Sequence, residues 1–134
     1  MNSRIGIGIL GCGDFLRCQS DALKGIANAE VRALYDPRPE QAEHFAAQLG
    51  GSPCESAEKL IALPAVDLVL LFVPPWIRKD LFEQCVHHGK KVLTTKPLAP
   101  SEQECREMVA LAREAGPCGV LYGRSGNALV ETLK

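Results

Sequence analysis

The apolar run Ile5-Gly6-Ile7-Gly8-Ile9-Leu10 passes without a break into Gly11-Cys12-Gly13-Asp14-Phe15-Leu16. A buried strand that turns through Gly-x-Gly into an amphipathic helix leaves few folds open. It is how a dinucleotide-binding βα unit begins. The first glycine allows a tight turn, and the second lets the backbone approach a pyrophosphate. The helix behind them offers N–H groups and the positive end of its dipole. The loop residues Gly11, Cys12, Gly13, Asp14 and Phe15 are therefore candidate cofactor contacts. The third small position of the fingerprint holds Leu16, where Gly or Ala would let the helix sit close to the strand, so looser cofactor docking is expected there.

Val31-Arg32-Ala33-Leu34-Tyr35 reads as a second strand. Asp36 ends it about 20 residues beyond the glycine loop, where a carboxylate accepts hydrogen bonds from the adenosine ribose hydroxyls. A carboxylate there repels a 2′-phosphate, which favours NAD and makes NADP the lesser expectation. Arg38 pulls the other way, because a guanidinium two residues on can pair with that phosphate. The plain alternative is that Asp36 opens a turn before Pro37 and Pro39. The glycine loop upstream favours the cofactor role.

Strands and helices alternate along the rest of the chain. Helices are expected over Phe15–Ile26, with Phe15, Cys18, Ala22, Leu23 and Ile26 inward, and over Glu40–Leu49, stopped by Gly50-Gly51. A weak strand near Pro53-Cys54 and a short helix over Ser56–Ala62 follow. Val66–Val73 is nearly continuous Val, Leu and Phe, as a central parallel strand covered on both faces requires. Pro74-Pro75 ends it. A helix over Ile77–His88, a strand over Lys91–Thr94, a helix over Ser101–Ala115 with capping-box spacing at Ser101 and Glu104, and a strand over Val120–Tyr122 complete the pattern. The fold expected is α/β: a single Rossmann-type domain with a doubly wound parallel sheet, three layers in αβα order. In such sheets ligands lie outside the carboxyl ends of the strands. The loops there are Gly11–Phe15, Asp36–Arg38, Val73–Arg78, Thr95–Pro97 and Gly123–Asn127.

Composition narrows the function classes. The chain has 134 residues, enough for one domain with a real core, and a formal net charge of −1, which gives no reason to expect nucleic acid or an anionic membrane as partner. No apolar run approaches the length of a membrane span. The six cysteines are not paired at Cys-x-x-Cys spacing and no histidine cluster accompanies them, so no metal site is expected. Most fall in apolar periodic segments and read as reduced core residues of a cytoplasmic protein. Cys12 has two readings, a redox-active thiol beside the cofactor and a small side chain filling the loop, of which the second is preferred. The start, Met1 to Leu10, fits a strand and turn better than a signal peptide, because a small-residue cleavage site is missing.

Taken together, the loops resemble the N-terminal domain of the glucose–fructose oxidoreductase/inositol dehydrogenase (Gfo/Idh/MocA) family. That family's run is a buried strand, Thr-Pro-Pro-x-x-His, a helix, Gly-Lys-His-Val-Leu and Glu-Lys-Pro. This chain has Val73-Pro74-Pro75-Trp76-Ile77-Arg78, Gly89-Lys90-Lys91-Val92-Leu93 and Thr95-Lys96-Pro97. The resemblance covers residues 4–125. It implies an NAD(P)-dependent oxidoreductase acting on sugars, polyols or related carbonyl compounds. The position of their loops at the strand ends puts Val73, Pro74, Pro75, Arg78, Thr95 and Lys96 in the expected cofactor site, and the resemblance makes Lys96 the catalytic candidate. A cation beside a carbonyl stabilises developing alkoxide charge, and an ammonium can relay a proton. The plain alternative is a solvated lysine before Pro97.

Beside Leu16, three departures stand out: Arg78 replaces the histidine, Thr95 replaces the glutamate, and Gly123-Arg124-Ser125-Gly126 stands where the family often has an aromatic or histidine followed by arginines. Trp76 could stack on a ring or serve as an exposed contact. His87 and His88 read as a solvated helix end. The family's second domain supplies most substrate contacts. Residues 1–125 are expected to be the NAD(P)-binding domain, and residues 126–134 the start of a connection to a missing substrate domain. The partners expected are nicotinamide dinucleotide, a small-molecule substrate if a second domain is present, and a second copy of the chain in a homo-oligomer. The reading from a different class is a non-catalytic dinucleotide-binding or assembly module that keeps the fold.

Overall fold

The computed structural model describes residues 3–122. The expected loop at 123–127, the Gly123-Arg124-Ser125-Gly126 departure and the connection at 126–134 lie outside the described residues. Six strands alternate with five helices: β1 Ile5–Leu10, α1 Asp14–Lys24, β2 Ala29–Tyr35, α2 Pro39–Leu49, β3 Ser52–Pro53, α3 Ala57–Ala62, β4 Leu68–Leu71, α4 Pro75–His87, β5 Lys91–Thr95, α5 Glu102–Ala115 and β6 Gly119–Leu121. All strand pairs are parallel and the sheet order is β3-β2-β1-β4-β5-β6. The chain winds outward from β1 in one direction and from β4 in the other. The topological switch point therefore lies between β1 and β4, where Leu10 is in register with Leu71.

The apolar strands work on both faces. Ile7 and Ile9 of β1 point to one core with Leu16, Leu34, Ala42, Phe45 and Leu70, beneath α1 and α2. Leu10 points to the other with Val69, Leu71, Leu60, Ile61, Phe82, Cys85 and Met108, beneath α3, α4 and α5. This is the three-layer αβα sandwich expected. A methyl group at Gly8 would sit 2.7 Å from Leu60 Cδ2 and 3.0 Å from Val66 Cγ1, so the bare strand is what lets α3 press onto β1. Ser56 and Ser101 cap α3 and α5, accepting hydrogen bonds from the main chain of Lys59 (3.1 Å) and Glu104 (3.2 Å).

Three local expectations are corrected. The inward face of α1 is Leu16, Ser20 and Leu23, whereas Cys18, Ala22 and Ile26 are exposed. The helix begins one residue earlier than periodicity suggests, at Asp14, and ends at Lys24. Leu16 is fully buried with Ile7, Ile9 and Phe45, so the core accommodates the large residue at the third fingerprint position. β4 is shorter than the apolar run around it, because Val66 packs below the strand and Phe72 and Val73 already turn towards the cleft.

Candidate functional site

The carboxyl ends of β1, β2, β4 and β5 open onto one cleft of about 580 Å³. Its walls include Gly11, Gly13, Phe15, Asp36, Arg38, Val73, Pro74, Pro75, Arg78 and Thr95, which brings together most of the residues the sequence singles out. Phe15 and Phe72 meet edge to face with ring centroids 4.8 Å apart and form an apolar wall between the glycine loop and the end of β4.

The two glycines do different work. Gly11 has φ 96°, and a Cβ there would lie 2.2 Å from the main-chain oxygen of Phe72, so it holds the turn against β4. Gly13 has φ −103° and nothing within 4 Å of the place a Cβ would occupy. It is the N-cap of α1, and no side chain caps the helix. The first-turn N–H groups therefore have no partner within the helix. Open space before uncapped N–H groups at the positive end of a helix suits a phosphate.

Asp36 is 6% exposed and binds the glycine loop to the end of β2. Its Oδ2 accepts from the Cys12 main-chain N–H at 2.9 Å, and its Oδ1 accepts from the Arg38 main-chain N–H at 2.9 Å and from Arg38 Nε at 3.1 Å. Burial pushes the Asp36 carboxyl up, but the hydrogen bonds from Arg38 and Cys12 outweigh it and hold it below the ordinary carboxylate value. Cys12 is fully buried beneath the loop. Burial, helped by the Asp36 charge, pushes its thiol up to about 12. A thiol held protonated in this way fills the loop and is a poor nucleophile.

Arg78 is 2% exposed, at the far end of the cleft. Its Nη1 donates to the carbonyls of Thr95 (2.6 Å) and Pro97, and its Nη2 donates to Val73 O (2.5 Å) and Thr95 Oγ1 (3.2 Å), while its Nε has no partner. The guanidinium thus staples the β4–α4 turn to the segment after β5, with a carbonyl on either side of Lys96. The Lys96–Pro97 peptide is cis. Lys96 itself is exposed, lies outside the cleft wall, and has no side-chain partner among the described residues. Asp14 is likewise exposed and paired with Arg17 at 2.7 Å. Trp76, 74% exposed, stands on the first turn of α4.

The sequence reading missed Lys90. Its Nζ donates to Leu63 O (2.8 Å) and Val66 O (2.7 Å), closing the α3–β4 connection beneath the sheet. No local signal marks that use. Among the described residues no three His, Cys, Asp or Glu side chains converge as metal ligands, and no helix is long and apolar enough to cross a membrane.

The profile of an oxidoreductase family with an NAD-binding Rossmann fold, GFO_IDH_MocA, matches residues 5–123. The chain belongs to this family. An uncharacterised oxidoreductase of Streptococcus pneumoniae is 35% identical over 107 residues, covering 80% of this chain and 29% of that protein. The dTDP-3,4-didehydro-2,6-dideoxy-alpha-D-glucose 3-reductase of Saccharopolyspora spinosa is 31% identical over 114 residues, covering 84% of this chain and 34% of that protein. A 3-ketoreductase of Actinomadura kijaniata, solved in complex with NADP and TDP-benzene, superposes with a TM-score of 0.85 at 26% identity, over 98% of this chain and 42% of that one. The chain spans about a third of the length of the curated relatives it matches. It is an NAD(P)-binding domain of the GFO_IDH_MocA type.

Proposed function

We propose that residues 1–125 are the NAD-binding domain of an oxidoreductase that moves hydride between the nicotinamide and a sugar, polyol or related carbonyl substrate. The observation that carries this is the open space before Gly13 at the uncapped start of α1, with the Asp36 carboxylate at the end of the neighbouring strand. The residues fit the group. Gly13 and the first turn of α1 would cradle the pyrophosphate, and Asp36 would accept from the ribose. The cofactor would supply the hydride. Phe15, Phe72 and Val73 would shield the ring end of the cleft from water. Lys96 would hold a positive charge beside the reacting oxygen, with its main chain held on both sides by Arg78.

NAD is the preferred dinucleotide in this reading, because the buried Asp36 carboxylate repels a 2′-phosphate. Arg38 already donates Nε to that carboxylate, so part of its charge is committed to Asp36. Calorimetric titration with NADH and NADPH tests this. NADH should bind more tightly, and Asp36→Ala should narrow or reverse the preference. Tighter NADPH binding by the unaltered chain would show that Arg38 governs. The substrate domain reached through residues 126–134 belongs to the same reading, supported by the greater length of the relatives. So does a cytoplasmic location, supported by six cysteines that stand as free thiols. One observation favours the alternative of a dinucleotide-binding module without chemistry of its own: Lys96 does not line the cleft.

A further inference from the structure

We infer that Arg78 makes this cleft discriminate between the two redox states of the cofactor, favouring the reduced, uncharged nicotinamide ring over the oxidised, cationic one. The inference rests on the dinucleotide reading given above. With the adenosine ribose at Asp36 and the pyrophosphate at Gly13, the ring has one direction left to run. It must lie towards the ends of β4 and β5, where Val73, Arg78 and Thr95 form the wall.

Arg78 differs from the other arginine in this cleft. Arg38 is paired with Asp36. The Arg78 partners are all neutral: three main-chain carbonyls and the Thr95 hydroxyl. No carboxylate pairs with it among the described residues, and its Nε donates to nothing. Burial lowers the pKa of the group from its very high ordinary value, yet a guanidinium stays charged in proteins. The carbonyl dipoles stabilise the charge locally but do not cancel it at a distance. In a poorly solvated wall its field persists. NAD⁺ and NADH share the adenosine and the pyrophosphate, so the charge on the ring is what this wall can distinguish.

The test is calorimetric titration of the purified chain with NADH and NAD⁺, and with NADPH and NADP⁺ as a parallel pair. The reduced form should bind at least about tenfold more tightly. Thr95→Glu would put a carboxylate beside Arg78 Nη2, which now lies 3.2 Å from Thr95 Oγ1. That variant should reduce the reduced-to-oxidised affinity ratio about tenfold, mainly by tightening the oxidised form. Arg78→Gln removes the charge, keeps donors, and should lower the same ratio. It decides the matter if the buried glutamate prevents folding, which thermal melting reveals. Equal affinity for both redox forms in the unaltered chain would overturn the inference, as would an unchanged ratio in a folded variant. If no form of either dinucleotide binds, the dinucleotide reading itself fails, and this inference with it.

Discussion

Gly11→Ala and Gly13→Ala add the same methyl group two positions apart and should fail in opposite ways. At Gly11 the new Cβ would lie 2.2 Å from the Phe72 oxygen and 2.7 Å from its carbonyl carbon, at φ 96°. The positive φ costs about 1–2 kcal/mol for a residue with a Cβ. The collision is with main chain at the end of β4, which cannot rotate away, and forcing such a contact adds about 1–3 kcal/mol. A loss of about 2–5 kcal/mol lowers the melting temperature by roughly 8–20 °C for a domain of this size. At Gly13 the methyl enters open space at φ −103°. The stiffer unfolded chain contributes about 0.4–1 kcal/mol of stability. Alanine is a worse N-cap than glycine by a similar amount, typically within about 1 kcal/mol, so the two effects offset. Gly13→Ala should therefore melt within a few degrees of the unaltered chain, yet its NADH affinity should fall at least about tenfold, since the methyl stands where a pyrophosphate must approach the helix. Differential scanning calorimetry and isothermal titration on both variants separate the two effects. Native NADH affinity in Gly13→Ala would refute the placement of the cofactor, and native melting of Gly11→Ala would refute the turn.

Asp36→Ala leaves the buried Cys12 N–H without an acceptor and should cost about 1–3 kcal/mol in denaturant unfolding; an unchanged midpoint would show that the loop does not depend on this carboxylate. The pH dependence has a definite sign. The folded Asp36 carboxyl lies below its unfolded value of about 3.9, so its stabilising contribution is complete above that value and is lost as the pH falls through the folded pKa. Acid melts of Asp36→Asn should show a shallower loss below about pH 4 than the unaltered chain, and parallel curves would contradict this. Leu16→Ala opens a cavity among Ile7, Ile9 and Phe45 and should destabilise by about 2–5 kcal/mol; a cost under 1 kcal/mol would show that α1 does not depend on this side chain.

The alternation of strands and helices, the Gly11–Gly13 loop between the first strand and helix, and the strand-end carboxylate at Asp36 were all legible in the amino-acid order. Each depends on local chemistry. Apolar period, glycine and proline breakers, serine caps and a strand-end acid act within a few residues of themselves. The sheet order and the shared cleft then follow from the handedness and length of the connections. What the sequence could not decide is which way a helix faces and where a long polar side chain ends. Leu16 occupies a position where the fingerprint calls for a small residue, but the rotation of α1 against β1 and α2 places it in the core beside Phe45. Arg78 and Thr95 lie 17 positions apart in the chain and are brought together by the pairing of β4 with β5. Only that pairing turns an arginine after two prolines into a staple around Lys96. The same holds for Lys90, whose ammonium finds two carbonyls more than twenty residues earlier in the chain. A hydrogen bond needs a partner within about 3 Å, and partners distant in sequence come that close only once the layers have packed.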